Sequence, residues 1–312
     1  MTDVRSAAAF APASVGNVGV GFDLLGHAIE GLGDTVTATR IDEPTVRIDA
    51  ITGLVTDLPL AIEKNTAGRA VQDLFAAARP GFGVALAIDK GIPLGSGLGG
   101  SAASATAALV AANALLPEPL AREALYPFAL AGEAVASGSV HGDNVGPQLL
   151  GGLVMATADR LIRIPVPDGL HVAVVHPDHV VETRLARQSL SAPFPIETIV
   201  AQQAHLGQFL AGCFAGDIAL IAAGLADVMV EPRRSSLVPG FSRVKQAALD
   251  HGALGASISG AGPSVFGWFL DRDAAGKAAA AMQQAFAEQN LTCSAWVSPV
   301  AAPGARLLNP GS

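Results

Sequence analysis

The residues best suited to chemistry lie between Pro93 and Ser104, in the run Pro-Leu-Gly-Ser-Gly-Leu-Gly-Gly-Ser-Ala-Ala-Ser. Four of them are glycines, which let a backbone bend sharply and approach a ligand closely: Gly95, Gly97, Gly99 and Gly100. Alanines dominate residues 101–116, which predicts a helix whose first free N–H groups face the glycine-rich loop. Because such a helix start favours an anion, we interpret residues 93–104, here called the cradle, as a binding site for a polyphosphate.

Other interpretations of the cradle are weaker. Gly95, Gly97 and Gly100 satisfy the pattern G-x-G-x-x-G of dinucleotide-binding domains, but that turn follows directly on a hydrophobic strand. Here the polar pair Asp89-Lys90 separates the loop from the strand predicted over residues 84–88. A Walker A loop is excluded because Gly-Lys-Ser/Thr is absent. An ordinary glycine-rich turn between a strand and a helix remains the purely structural alternative.

Composition and charge exclude several classes of partner. The 312-residue chain has a formal net charge of −8 and no run of Lys or Arg, which argues against nucleic acid or an anionic membrane as partner. Half of the residues are hydrophobic, yet no uninterrupted apolar segment is long enough to span a membrane. Cys213 and Cys293 are far apart and do not suggest a thiolate metal site. The first residues show no secretion signal, so the sequence predicts a cytoplasmic protein.

The chain is long enough for two domains with substantial cores. A turn-rich segment at 165–169 predicts the boundary between a first domain at 1–167 and a second domain at 168–312. In the second half, predicted strands alternate with predicted helices. The strands are at 171–176, 257–259, 265–270 and 293–297, and the helices are at 244–249 and 274–289. The predicted fold class is therefore α+β.

Three segments resemble the motifs of a known family. The cradle is similar to the central phosphate-binding motif of the GHMP small-molecule kinases, which phosphorylate galactose, homoserine, mevalonate and related metabolites. Residues 11–26, Ala-Pro-Ala-Ser-Val-Gly-Asn-Val-Gly-Val-Gly-Phe-Asp-Leu-Leu-Gly, resemble the N-terminal motif in its homoserine kinase version. Residues 255–267, Gly-Ala-Ser-Ile-Ser-Gly-Ala-Gly-Pro-Ser-Val-Phe-Gly, resemble the C-terminal glycine loop. One difference is Gly100, where the family more often has a serine, but Ser101 remains available as the hydroxyl beside the phosphates.

The resemblance covers nearly the whole chain and implies both a fold and an activity. The fold would be a two-domain GHMP kinase, with a first domain like domain 2 of ribosomal protein S5, a ferredoxin-like second domain and the site in the cleft between them. The activity would be that of an ATP:L-homoserine O-phosphotransferase, which makes O-phospho-L-homoserine on the route to threonine. ATP would be the co-substrate, Mg²⁺ the metal and L-homoserine the small-molecule partner. The oligomeric state, a homodimer included, stays open.

For the nucleotide, the resemblance assigns most contacts to the cradle. These are Pro93, Leu94, Gly95, Ser96, Gly97, Leu98, Gly99, Gly100, Ser101, Ala102 and Ser104, together with Asn65 and Thr183 outside it. From the residues alone, Asn65 is a helix cap, because it precedes apolar residues at helical spacing. Homoserine kinases have a similar Asn-Thr-Ala whose asparagine touches the adenine, so Asn65 is also carried as a nucleotide contact.

For the metal and the chemistry, the resemblance points to Ser101, Glu133 and Asn144. A single Glu in a helix is usually solvated, but the matching family helix presents an acid to Mg²⁺, which requires oxygen ligands. Asn144 stands where related kinases place a catalytic aspartate, which implies transfer without a dedicated base. On chemistry alone, either Asp23 or Asp143 could act as a general base, and that choice stays open.

For the acceptor, the resemblance implies contacts from the N-terminal motif, from the His-x-Asp-Asn-Val loop at 141–145, from the C-terminal glycine loop and from two arginines. The residues are Asn17, Asp23, His141, Asp143, Gly260, Arg187 and Arg234. Two arginines that converge on one carboxylate provide bidentate recognition, and Arg187 and Arg234 take that role here. The neighbouring Arg233 is interpreted as solvated.

Three other functions stay open. Another GHMP kinase is one, although the mevalonate and isoprenoid branches usually carry a lysine where this chain has Val15 to Val18. A binding or regulatory protein that kept the fold and lost turnover is the second, and intact Ser101 and Glu133 argue against it. A dinucleotide oxidoreductase is the third, and it would have to bind a nicotinamide cofactor.

Overall fold

The computed structural model describes residues 5–137 and 141–308, except for the side chains of Ala136, Ser137 and Thr183. In that part of the chain the strands are β1 (Ser6–Gly16), β2 (Leu25–Ile41), β3 (Val46–Gly53), β4 (Gly83–Lys90), β5 (Leu153–Ala156), β6 (Leu161–Ile164), β7 (His171–Pro177), β8 (Gly255–Ile258), β9 (Val265–Phe269), β10 (Cys293–Pro299) and β11 (Arg306–Leu308). The helices are α1 (Thr66–Ala78), α2 (Gly100–Asn113), α3 (Tyr126–Ser137), α4 (Val145–Leu150), α5 (Thr183–Gln188), α6 (Ile196–Ala215), α7 (Ile218–Gly224), α8 (Glu231–Arg234), α9 (Phe241–Asp250) and α10 (Arg272–Ala287).

The first sheet has seven strands and is built mainly from the first half of the chain. Its order is β11-β1-β2-β4-β3, and β5 extends it by pairing with both β2 and β6. Helix α2 packs on β1 and β2, with α1 and α3 against its other side. Almost every residue of α2 is buried, which explains its alanine-rich sequence, since small side chains let a helix lie close to neighbours on all sides. This packing fixes the start of α2 at the end of the cradle.

The second sheet has four antiparallel strands in the order β10-β7-β9-β8, which is the arrangement of a ferredoxin-like sheet. Its side chains alternate between two cores, as the period of a strand requires. On β9, Phe266 and Trp268 face the first sheet, whereas Val265 and Phe269 pack with α9 and α10. The α+β class and the ferredoxin-like second half are therefore as predicted.

The two sheets share one continuous hydrophobic core. Phe266 and Trp268 of the second sheet belong to the same buried cluster as the strands of the first, and Phe209 of α6 joins it. The predicted division at 167/168 falls between the end of β6 and the start of β7. However, β11 returns to the first sheet, where Leu308 pairs with Ala8 and Arg306 with Phe10. The sequence analysis assigned neither β11 nor the long helix α6.

Within residues 5–137 and 141–308, no helix combines the length and the apolar character that crossing a membrane requires.

His27 lies fully buried where the two sheets meet. Its Nδ1 lies 3.0 Å from the carbonyl oxygen of Ala28, and the indole Nε1 of Trp268 lies 3.2 Å from its Nε2. A carbonyl only accepts and an indole N–H only donates, so the ring must be neutral with its proton on Nδ1. Burial lowers the pKa of His27 to about 4. A second proton would sit on Nε2 and point at the Trp268 N–H. Protonation of His27 at low pH therefore disrupts this contact.

We expect His27 to make the folded protein sensitive to acid. In the unfolded chain this histidine gains a proton below about pH 6.5, whereas in the folded protein it does so only near pH 4. Its contribution is therefore complete above pH 6.5 and is lost as the pH falls, at up to about 1.4 kcal/mol per pH unit. Urea unfolding of the wild type and of His27→Gln at pH 7.5 and pH 5.0 measures this. The wild type should lose more of its unfolding free energy than the variant, and equal losses would contradict the prediction.

Candidate active site

A cleft of about 280 Å³ brings together residues from the three glycine-containing motifs and the two arginines. The predicted residues that line it are Asn17, Asp23, Pro93, Leu94, Gly95, Ser96, Gly97, Gly99, Gly100, Ser101, Glu133, His141, Asp143, Asn144, Arg187, Arg234 and Gly260. Val181, Ala261 and Gly262 complete the lining and were not predicted. The cleft therefore contains a cradle at one end and a set of charged side chains at the other.

The cradle backbone takes a form that only glycine adopts easily. Gly97 and Gly99 have φ values of 76° and 70°, and a Cβ on Gly97 would lie 2.4 Å from the carbonyl oxygen of Ser259. Gly100 differs from the prediction, because it is the first residue of α2 and its φ is not left-handed. No side chain caps the start of α2, so its first N–H groups are available to a ligand in the cleft.

The C-terminal glycine loop is hydrogen-bonded to the cradle. The Ser259 hydroxyl donates to the carbonyl of Gly97, and the Ser264 hydroxyl donates to the carbonyl of Ser96, both at 2.7 Å. These bonds tie two cradle carbonyls to the second domain. The shape of the cradle therefore depends on both halves of the chain.

A buried ion pair lies directly beneath the cradle. The Lys90 ammonium is bound to the Asp34 carboxylate, to the carbonyl of Gly100 at 2.7 Å and to the Ser104 hydroxyl at 2.8 Å. Ser104 in turn donates to Asp34, and the backbone N–H groups of residues 91 and 92 complete the carboxylate's partners. Lys90 is 2% exposed and Asp34 is fully buried. The polar pair Asp89-Lys90 before the loop did not indicate that Lys90 is buried. Its burial follows from β4 carrying this side chain under α2.

Ser101 and Glu133 meet at the open end of the cradle. The Ser101 hydroxyl lies 3.0 Å and 2.8 Å from the two carboxylate oxygens of Glu133, which α3 presents toward the start of α2. Burial raises the pKa of Glu133 to about 7. A carboxylate and a hydroxyl oxygen beside a phosphate site are ligands of the type that Mg²⁺ binds. Among the described residues, no group of three or more His, Cys, Asp or Glu side chains could hold a metal ion.

Asp23 and the two arginines form the charged end of the cleft. Arg187 donates to both oxygens of Asp23 at 2.9 Å, and Nδ1 of His141 lies 3.3 Å from the same carboxylate. Arg234 is buried and donates to the carbonyls of Ala186 and Gly260. Burial, with Arg187 nearby, lowers the pKa of Arg234 to about 10. One carboxylate and two guanidinium groups thus lie close together at this end of the cleft.

Asn17 and Asp143 form the floor between the two ends. The backbone N–H of Asn17 donates to Asp143 at 3.2 Å, and its side-chain amide donates to the carbonyl of Gly260 at 2.9 Å. The amide oxygen of Asn17 accepts from the backbone N–H of Asp23. Burial and the neighbouring Asp23 charge raise the pKa of Asp143 to about 7. This carboxylate can therefore be charged or neutral near physiological pH.

A second, smaller pocket of about 140 Å³ adjoins the cleft and shares Leu94 and Ser101 with it. Its walls are mostly apolar side chains and methylene groups from residues 58–66 and from the strand and helix beside the cradle. Asn65 lines this pocket and also caps α1, because its amide oxygen accepts from the N–H groups of Ala67 and Gly68. Its amide nitrogen donates to the Pro59 carbonyl, which leaves one N–H for a ligand.

Family models described as the GHMP kinases N terminal domain and the GHMP kinases C terminal match residues 65–152 and 209–288. The chain belongs to the GHMP kinase family. The predicted family and the predicted two-domain fold are thereby confirmed.

Three similar proteins carry the name homoserine kinase. The homoserine kinase of Xanthomonas campestris pv. campestris (strain B100) is 60% identical over 98% of this chain and 95% of its own length. The homoserine kinase of Chlorobium phaeobacteroides (strain DSM 266 / SMG 266 / 2430) is 43% identical over 98% of this chain and all of its own. A crystal structure of homoserine kinase from Cytophaga hutchinsonii ATCC 33406 superposes with a TM-score of 0.95, at 40% identity and 99% coverage of each chain.

Some predicted nucleotide residues of this GHMP kinase do not line the main cleft. Leu98 and Ala102 are fully buried beneath the cradle, so their side chains support it and do not face a ligand. Ser104 lines the smaller pocket and bonds to Asp34 and Lys90. The side chain of Thr183 lies outside the described part of the structure. Leu98 and Ala102 could therefore contact a nucleotide only through their backbone.

Other residues at the site of this GHMP kinase were not assigned a role from the sequence. Ser14 and Gln148 lie fully buried between the cradle and Asn144. The ring of Phe22 lies beside both arginines, with its centroid 5.3 Å from the guanidinium carbon of Arg187 and 5.1 Å from that of Arg234. The one available signal was position, since Ser14 and Phe22 fall inside the N-terminal motif and Gln148 follows the loop that contains Asn144.

Proposed function

We infer that this chain is an ATP:L-homoserine O-phosphotransferase. The observation that carries this inference is the pairing, in one cleft, of a phosphate cradle with a cluster that contains both a carboxylate and two guanidinium groups. Galactose and other neutral acceptors offer no charge to such a cluster, whereas a zwitterionic amino acid presents an ammonium and a carboxylate together. The names of the relatives agree with this choice of acceptor.

We propose that ATP binds with its base in the smaller pocket and its phosphates in the cradle. The two pockets adjoin at Leu94 and Ser101, so one ligand can occupy both. The N–H groups at the start of α2 would hold the phosphate oxygens. Ser101 and Glu133 would hold Mg²⁺, which supplies neutralisation of the phosphate charge.

Homoserine would lie against the charged end of the cleft. Its ammonium would bind Asp23 with support from Asn17 and Asp143, and its carboxylate would bind Arg187 and Arg234. Because Arg187 is paired with Asp23, the substrate would replace that ion pair with contacts from its ammonium to Asp23 and from its carboxylate to Arg187 and Arg234. Its hydroxyl would then lie toward Asn144, between the charged end and the cradle, where transfer is mainly a matter of positioning.

The acceptor can be identified by measuring ADP release with ATP, Mg²⁺ and one of homoserine, mevalonate, galactose or shikimate. We expect release with homoserine only. Release with another acceptor would assign the chain to a different GHMP activity. Release with no acceptor, together with binding of ATP, would identify a non-catalytic protein. Nicotinamide binding in an absorbance titration would support the oxidoreductase alternative.

Replacing Arg234 by lysine should weaken homoserine binding and leave ATP binding nearly unchanged. Lysine keeps the charge but lacks the planar fork that gives a carboxylate two parallel hydrogen bonds. We expect a loss of about 1–3 kcal/mol in homoserine binding, measured from the Michaelis constant and by titration calorimetry. Arg233→Lys is the matched control, because this neighbouring arginine bonds to the carbonyls of Ala192 and Pro193 and does not line the cleft. Weak ATP binding with normal homoserine binding would place Arg234 at the nucleotide instead.

A further inference from the structure

Two polar side chains, Gln148 and Ser14, connect the cradle to Asn144. The Gln148 amide nitrogen lies 2.9 Å from the carbonyl oxygen of Gly99 and 3.0 Å from the Ser14 hydroxyl. The Ser14 hydroxyl lies 2.9 Å from the amide oxygen of Asn144. Gln148 and Ser14 are fully buried, whereas Asn144 is partly exposed and lines the cleft. The chain of hydrogen bonds therefore begins at the phosphate site and ends at the catalytic cleft.

The direction of every bond in this chain is fixed by its first member. The Gly99 carbonyl can only accept, so the Gln148 atom facing it must be the amide nitrogen. That nitrogen has two protons, and the second goes to the Ser14 oxygen. Ser14 then has one proton of its own to donate, and its partner is the amide oxygen of Asn144.

The last bond decides what Asn144 offers to the cleft. With its oxygen engaged by Ser14, its amide nitrogen faces Asp143 at 3.4 Å and keeps a second N–H. Asn144 thus presents an N–H to a reacting group, while its amide oxygen accepts from Ser14. A donor cannot remove the proton of an alcohol, but it can stabilise negative charge on an oxygen in transfer.

We propose that Ser14 and Gln148 are positioning residues that hold the Asn144 amide with its N–H toward the oxygen atoms of phosphoryl transfer. The proposal rests on the proposed function for the identity of the acceptor. It assigns the effect of both residues to Asn144, which touches the reacting groups, and none to direct contact with substrate.

The packing around Gly99 supports this assignment. A Cβ on Gly99 would lie 2.6 Å from the Ser14 hydroxyl, 2.7 Å from the Gln148 nitrogen and 2.8 Å from the Asn144 oxygen, so all three converge on this glycine. Within the described residues, the other amide atom of Gln148, Oε1, is buried and has no hydrogen-bond partner. An unpaired buried oxygen costs stability. Gln148 is therefore placed for the two bonds that its nitrogen donates, at the expense of its oxygen.

A double-mutant cycle between Ser14→Ala and Asn144→Ala tests the proposal. We expect Ser14→Ala to lower kcat about tenfold, the equivalent of one hydrogen bond, with the Michaelis constants for ATP and acceptor changed less than about threefold. In the Asn144→Ala background the same substitution should change kcat less than about twofold, because the residue through which it acts is gone. Effects that multiply would overturn the proposal.

Ser298→Ala is the matched control for folding. Ser298 is also a fully buried serine, and it accepts from the backbone N–H of Glu30 and donates to the carbonyl of Pro299, away from the cleft. Its loss should lower the melting temperature and leave kcat unchanged. If Ser14→Ala behaves in the same way, Ser14 is only structural and the proposal fails.

Two further measurements keep the test independent of folding and of the acceptor. If Ser14→Ala does not fold, Gln148→Met replaces it in the cycle, because it removes the bond that fixes the direction of the Ser14 proton. Gln148→Met should lower kcat by the same factor in the wild-type background and have little effect in the Asn144→Ala background. The cycle is run with whichever alcohol the wild-type enzyme phosphorylates. A different acceptor would therefore contradict the proposed function, while the cycle would still decide the role of Ser14.

Discussion

Glu133→Gln should reduce turnover by about 100-fold or more, because a metal ion at a transferring phosphoryl group supplies several kcal/mol of charge stabilisation. Glutamine keeps the size of the side chain and can still bond to the Ser101 hydroxyl, which lies within 3.0 Å of both Glu133 oxygens. It does not offer the negative charge that Mg²⁺ requires. The measurement is kcat as a function of Mg²⁺ concentration, and the half-saturating Mg²⁺ concentration should rise together with the loss.

The control for this change is Glu123→Gln, which removes an exposed carboxylate from the segment before α3. It should leave both kcat and the Mg²⁺ requirement unchanged. The melting temperature of Glu133→Gln should not fall, because the substitution removes a buried negative charge. Wild-type activity of Glu133→Gln at low Mg²⁺ would remove Glu133 from the metal site.

Lys90→Met should destabilise the protein by about 3–5 kcal/mol, the usual cost of leaving one partner of a buried ion pair without the other. Methionine fills a similar volume, so the loss reports on charge and hydrogen bonds and not on a cavity. The Asp34 carboxylate would remain fully buried, with the Ser104 hydroxyl and two backbone N–H groups as its partners. Urea unfolding at pH 7.5 measures the change.

The double variant Lys90→Met, Asp34→Asn separates the charge effect from packing. Removing both charges should recover most of the lost unfolding free energy, since an amide in place of Asp34 leaves no buried ion. A single variant that loses less than about 1 kcal/mol would contradict the prediction. If the single and double variants are equally unstable, the lost unfolding free energy comes from packing under the cradle and not from the ion pair.

Local chemistry made much of the site predictable from the sequence. Gly97 and Gly99 predicted a bent loop, and the alanines after them predicted a helix. Both predictions rest on backbone preferences that act over a few residues. Asn65 was predicted as a helix cap for the same reason, and it does cap α1. The resemblance supplied the roles of Ser101 and Glu133, which the structure brings within 3.0 Å of each other.

Contacts between distant parts of the chain could not be predicted in this way. Lys90 and Asp34 are 56 residues apart, and the sequence shows only two ordinary charged residues until the sheet pairs β2 with β4. Ser14 and Gln148 are 134 residues apart, and their bond exists only because α4 packs on β1. Helix α6 was missed because it carries few polar residues, so its pattern does not show a clear exposed face.

The pairing of β11 with β1 has a consequence for how the protein is made. The ribosome delivers β1 before the other described strands and β11 after them, so one edge of β1 has no partner until all of those strands have emerged. An open strand edge is a template for pairing with other molecules. Nascent chains that stall before residue 306 would carry that edge exposed, which makes them candidates for chaperone binding and for co-aggregation on polysomes. The first sheet is thus completed only after synthesis of the second, whatever order the rest of the molecule folds in.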